Sequence, residues 1–261
     1  MLLTTRTWGI EIELNCKVQE EFKHGKTSAV GQYMADQFTY PYKKILAPGT
    51  KLIPLPPGWT FSHDASCGAE FISPPLCNSE HIRPMLKAIA ESGIQYTFKN
   101  TGFHVHVGAG DLSEEQILNV VRFCRYFERA IYSYCAPRRR RSKYCQSVGK
   151  NDYDLAIAIA ETDGEQDRYR GCNFASIVRH GTIEFRYAEG TDNFERMESL
   201  IDLFTCIVDI GKNSMRYQIP NNTAIKRVAL LDLLPVSNET RRRLLLQNGW
   251  KYNQFMPPAV V

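Results

Sequence analysis

A chain of 261 residues with 43% hydrophobic side chains has enough apolar material for one large core or two small ones. Its net charge of +4, from 32 basic and 28 acidic residues, is too mild to argue for nucleic acid, and no apolar segment reaches the length of a membrane span. The start, MLLTTRTWGIEIEL, meets an acidic residue by position 11 and carries no cleavage pattern, so the expectation is a cytoplasmic protein with its eight cysteines reduced.

Residues 8–14, WGIEIEL, alternate strictly and predict a strand. Residues 15–63 predict an insertion or lid, with a short helix over 29–38 and a Pro/Gly-rich stretch, LAPGTKLIPLPPGWT. Asp64 falls in a turn-like SHDASCG, before a short strand, AEFIS, that Pro74 and Pro75 stop. A helix is predicted over 79–92, with Pro84 in its first turn and Gly93 as its stop.

The run GFHVHVG reads as a strand. Behind it, Ser113 and Gln116 form a capping-box signature for a long amphipathic helix through Ile117, Val120, Val121, Cys124, Phe127 and Ile131. PRRRRSKYC (137–145) ends that helix, and a loop-rich section with a helix at 152–161 follows. GTIEFRYAEGTDN (181–193) is another alternating strand with a turn, and a second long helix runs from Met197 to Gly211. Short helices fill the chain after 222, one starting at Ser237 or Asn238. This order predicts an α+β fold with helices on one face of a largely antiparallel sheet. The expected organisation is one domain over 1–221 and a helical extension of it over 222–261.

Side chains two apart on a strand share a face. Glu11 and Glu13 therefore point one way while Ile10, Ile12 and Leu14 point the other. His104 and His106 repeat the pattern, as do Glu184 and Arg186, and AEFIS adds Glu70. An ordinary wet sheet face would carry assorted Thr, Lys, Ser and Gln, whereas these three strands carry metal-ligand types almost throughout. Crowded carboxylates repel one another, and divalent cations relieve that repulsion; mixed Glu/His ligation suits Mg²⁺ or Mn²⁺.

The ordered set GIEIEL, DASCGAEFISPP, GFHVHVG, RYRGCN and GTIEFRYAEGT resembles the amidoligase family of the carboxylate–amine ligase superfamily, which includes glutamine synthetase and glutamate–cysteine ligase. The resemblance covers about residues 8–210. It implies a curved antiparallel sheet in a glutamine synthetase-like catalytic domain, holding ATP and two or three Mg²⁺ or Mn²⁺ ions. The reaction it implies is ATP-dependent amide formation through an acyl phosphate. Carried over motif by motif, it implies metal ligation by Glu11, Glu13, Glu70, His104 and Glu184. It implies contacts to ATP from His106, Arg186, Arg168, Arg139, Arg140 and Asn173, and catalytic roles for Glu11, Glu184, Arg186 and Arg168. Asp64 is either a further ligand or a turn former.

Two other readings stand beside this one. One is a metal-dependent hydrolase or oxygenase built on the H-x-H strand, which the E-x-R strand argues against. The other is a non-catalytic binding protein that keeps the fold. Four arginines without interleaved aromatics argue little for nucleic acid. The expected partners are small-molecule, peptide or protein carboxylates and amines. His24, His63, His81 and His180 are assigned no role, and Tyr169 is read as core.

Overall fold

The computed structural model describes residues 6–16, 55–64, 67–148, 169–212 and 223–246. The predicted helices at 29–38 and 152–161, most of the predicted insertion and Arg168 lie outside the described residues.

One sheet organises the molecule. Its strands are β1 (Trp8–Cys16), β2 (Thr60–Asp64), β3 (Gly68–Ile72), β4 (Tyr96–Thr97), β5 (Gly102–Gly108), β6 (Cys172–Asn173) and β7 (Thr182–Glu189). They lie in the order β2-β3-β1-β5-β7-β6, with β4 beside β1, and every pairing is antiparallel. The helices are α1 (Arg83–Ser92), α2 (Glu114–Cys135), α3 (Ala175–His180), α4 (Phe194–Ile210), α5 (Thr223–Leu233) and α6 (Asn238–Leu246). The α+β expectation holds.

The apolar half of each alternating strand faces the core. Ile10, Ile12, Leu14, Phe103, Val105, Val107, Ile183 and Phe185 are all buried, and α2 and α4 pack on this side. Phe185 stacks on Phe204 of α4 at 4.6 Å between ring centroids, and Tyr187 meets Tyr132 of α2 edge-on at 4.8 Å. Such aromatic pairs add about 0.5–1.5 kcal/mol beyond their buried area. Because a one-residue slip would turn every core residue to solvent, this burial fixes the strand register. The same register fixes which polar groups meet on the far face.

Helix ends follow local chemistry. Ser113 and Gln116 form the predicted capping box of α2, and the Asn193 side chain accepts the Arg196 N–H at the start of α4. The helix predicted over 79–92 is divided into a 3₁₀ turn, Ser79–Ile82, and α1. Pro84 has no N–H with which to continue an α-helical ladder back to Glu80, which accounts for the change of helix type there.

Residues 60–64, expected in the insertion and a turn, instead form β2. Phe61 pairs with Phe71 across β2 and β3, and both rings are buried 5.3 Å apart, so the sheet gains an extra edge strand. Asp64 is the last residue of that strand, opposite Gly68, rather than a turn residue. Among the described residues no helix is long and apolar enough to cross a membrane.

Candidate active site

The face of the sheet away from α2 and α4 gathers the polar halves of the strands. Antiparallel pairing sets Glu11 opposite His104, Glu13 opposite Glu70, and His106 opposite Glu184, while Asn173 faces Glu184 from β6. Directly opposed side chains approach closely enough to interact. Three separate sequence patterns thus become one cluster, flooring a cavity of about 480 Å³.

Glu11 is held from both sides. Its Oε2 lies 2.6 Å from His104 Nδ1 and its Oε1 lies 3.0 Å from His106 Nε2. Burial pushes the Glu11 carboxyl up, yet the two imidazole hydrogen bonds outweigh burial and hold it well below the usual carboxylate range. Burial likewise works against a charged His106, while its bond to Glu11 and the nearby Glu184 charge raise its pKa above the ordinary imidazole value.

Glu184 receives a hydrogen bond from Arg186 Nη1 at 2.5 Å and another from Asn173 Nδ2 at 2.6 Å. Arg186 is fixed further by the Tyr144 carbonyl, 3.3 Å from its Nε. Burial disfavours the Arg186 charge, but the carboxylates of Glu184, Glu11 and Glu13 keep its pKa above the ordinary arginine value. Glu13 accepts the Gly102 backbone N–H at 2.5 Å.

Divalent cations fit these residues. Ligand atoms of Glu11, His104 and Glu184 lie within 4.8 Å of one another, and so do those of Glu13, Glu70 and His104. His104 presents Nδ1 to Glu11 and Glu184 and Nε2 to Glu13, 3.4 Å from Glu13 Oε1. That buried Nε2 makes no hydrogen bond among the described residues. A buried polar atom without a partner is costly, and a lone pair aimed at carboxylates is what a cation would use. Oxygen donors with one imidazole suit Mg²⁺ or Mn²⁺ better than softer metals.

The predicted cations separate. Arg139 lies in the 3₁₀ turn Pro137–Arg141, is 8% exposed and lines the cavity. Its guanidinium donates to the Thr101 carbonyl at 2.7 Å and the Arg186 carbonyl at 3.1 Å. Arg140, one residue on, is exposed and does not line the cavity; its charge acts on Glu128 of α2. The structure therefore brings Arg139 to the site and leaves Arg140 outside it. Asn173, expected at the nucleotide, is buried and bonded to Glu184.

Several residues in or beside the site escape the sequence reading. Thr182 shares the face of Glu184 and Arg186 one step earlier on β7, and its hydroxyl lies 3.1 Å from His106 Nδ1. Strand alternation extended by two residues would have found it. Ser176, Arg179 and His180 come from α3, and His180 meets the His106 ring edge-on at 6.0 Å. Tyr169, read as core, lines the cavity with Tyr144, and the two rings lie 5.4 Å apart. Asn100 also lines it and holds a left-handed φ of 64°, which a non-glycine residue rarely adopts. Gly102 clears space: a Cβ there would come within 2.3 Å of His104 Nε2 and 3.1 Å of Arg139 Nη2.

No curated protein sequence matches the chain. A solved structure of the prokaryotic ubiquitin-like protein Pup in complex with its ligase PafA has 10% identity and a TM-score of 0.42. The alignment covers 100% of this chain, which spans 60% of the length of that one. The family model described as "Putative amidoligase enzyme" matches residues 60–208. That match takes in more than half of the chain, from β2 to α4, and the protein belongs to the amidoligase family, ligases that form amide bonds.

Proposed function

We propose that the protein is an ATP-dependent, ADP-forming carboxylate–amine ligase that makes its amide through an acyl phosphate. The observation that carries this reading is the convergence of Glu11, Glu13, Glu70 and Glu184 on one cavity floor beside Arg186, with the buried His104 within ligand reach of all four carboxylates. A carboxylate is a poor electrophile, so it must be activated before an amine can attack it. When bound, ATP supplies the activating phosphoryl group and divalent cations shield the charge that builds on it. Glu11, His104 and Glu184 would hold a cation through His104 Nδ1, or Glu13, Glu70 and His104 would hold one through Nε2; a neutral imidazole has a single lone pair, so His104 serves one group at a time.

Arg186 is the residue assigned to the group in transfer. Glu184 and the Tyr144 carbonyl fix its guanidinium at the cavity wall, so little reorganisation is needed as charge develops there. Asn173 keeps Glu184 in place from the neighbouring strand. Arg139, anchored by two backbone carbonyls and turned to the cavity, suits a carboxylate or phosphate oxygen through its planar fork. Arg168, in the same motif as Tyr169 and Arg170, is assigned to the anionic substrates by family resemblance. The acid and the amine belong to a small molecule, a peptide or a protein.

The test is a screen of carboxylic acids with ATP, Mg²⁺ and hydroxylamine, which captures an acyl phosphate as a hydroxamate. Acid-dependent ADP and hydroxamate formation, lost in Glu184→Gln, is the expected result. AMP with pyrophosphate as the nucleotide products, or hydrolysis of an ester or amide without ATP, would contradict it.

A further inference from the structure

Glu11 lies at the centre of the candidate cation site, and the residue behind it is His106. Both nitrogens of that imidazole are engaged by protein. Nε2 faces Glu11 Oε1 at 3.0 Å, and Nδ1 lies 3.1 Å from Thr182 Oγ1 and 3.3 Å from Ser176 Oγ. The two hydroxyls are themselves 2.8 Å apart. Ser176 is only 1% exposed and comes from α3, while Thr182 comes from β7 directly opposite Gly108. Two elements that carry no cation ligand in common thus meet behind one ring.

We propose that Ser176 and Thr182 are positioning residues: through His106 they fix the orientation of Glu11, and with it the affinity of the Glu11–His104–Glu184 group for a divalent cation. This rests on the proposed function. The histidine χ2 torsion is broad and roughly two-fold, so the ring flips easily unless something distinguishes its two edges. A flip would bring carbon to Glu11 in place of Nε2. The hydroxyl pair prevents this, because only the observed orientation puts Nδ1 against Thr182 and Ser176. Each hydroxyl can donate or accept, so the pair holds the ring whether Nδ1 is bare or protonated.

The consequence reaches the carboxylate. With Nε2 held, its N–H occupies one lobe of Glu11 Oε1 and leaves Oε2 on the side of His104. Outer partners that orient ligand carboxylates and imidazoles in this manner change metal affinity by about 10–100-fold when removed. This assigns His106 to Glu11 rather than to a phosphate oxygen.

The test is Mn²⁺ binding to the full chain, followed by electron paramagnetic resonance, beside the melting temperature of each variant. Thr182→Val keeps the side-chain shape and removes the hydroxyl; it should weaken binding about tenfold. Ser176→Ala should weaken it less, and Thr182→Ser should restore wild-type affinity. A purely structural role would lower the melting temperature of Thr182→Val and leave Mn²⁺ affinity unchanged, which would overturn the proposal. Should Thr182→Val not fold, Ser176→Ala decides alone: wild-type affinity there is equally contrary. A wild-type protein that binds no Mn²⁺ would instead contradict the proposed function itself.

Discussion

Glu11 and His104 stand opposite each other on β1 and β5, and His104 Nδ1 lies 2.6 Å from Glu11 Oε2. One step along the same strands, His106 reaches back to the other oxygen of that carboxylate at 3.0 Å. A single glutamate is therefore shared by two imidazoles, at a point where Glu13 of the same strand, Glu70 of β3 and Glu184 of β7 bring three more carboxylates.

This sharing decides what neutralising Glu11 does. Crowded carboxylates alone would make removal of one stabilising. Glu11 is instead held well below the usual carboxylate range by its imidazole bonds, so the charge favours the fold. Glu11→Gln should cost about 1–3 kcal/mol in metal-free protein, typical of hydrogen bonds to charged groups. It should also abolish the rise in melting temperature that Mg²⁺ or Mn²⁺ with ATP gives the wild type. Differential scanning calorimetry with and without these ligands reads both effects.

Arg186 separates binding from chemistry. A guanidinium stabilising charge only as it develops should affect turnover more than nucleotide affinity. Arg186→Ala should lose about 10²–10³ in turnover, and Arg186→Lys should recover little of it because an ammonium lacks the planar fork. ADP formation and nucleotide binding are measured on both variants. Near-normal turnover in Arg186→Lys would reduce the residue to an ion-pair partner of Glu184.

Gly102 tests how tightly the floor is packed. A methyl group there would meet His104 Nε2 at 2.3 Å, so the imidazole must move. Gly102→Ala should destabilise the fold by about 1–3 kcal/mol, as overpacking does, and weaken Mn²⁺ binding. Denaturant unfolding and Mn²⁺ titration give the two values.

Away from the site, Arg6 ties the start of β1 to Asp111 and to Asp209 of α4, each at 2.5 Å. The hydrogen bond from Arg6, then that from Lys212, holds the Asp111 carboxyl well below its ordinary value of 3.8. A lowered carboxylate contributes stability above that ordinary value and loses it as pH falls through the lowered one. Asp111→Asn should thus cost stability at neutral pH and show a shallower decline on acidification. Asp111 is half exposed, so the difference should stay within about 1 kcal/mol. Urea unfolding across the acid range checks it.

The sheet and the floor of the site are legible because strand alternation is a local signal. Glu11/Glu13, His104/His106 and Glu184/Arg186 each announce a shared face within a few residues, and burial of the intervening apolar side chains keeps them in register. Family resemblance supplied their order and roles. What escaped was brought in by tertiary contacts. Ser176 and His180 reach the cavity because α3 folds back over β7, and nothing in their local sequence marks that approach. Arg139 and Arg140 are indistinguishable in PRRRR, and only the tight 3₁₀ turn sends one inward and the other to solvent. β2 escapes a sequence reading because the buried pair that seats it, Phe61 with Phe71, is too short a pattern to read.

The central claim is that the acid is activated as an acyl phosphate. The direct measurement uses ¹⁸O in the carboxylate of an acid found by the hydroxamate screen, with mass analysis of the phosphate released during amide formation. The account predicts that one ¹⁸O moves from the acid to inorganic phosphate in each turnover. Phosphate that carries no ¹⁸O while amide forms would contradict it.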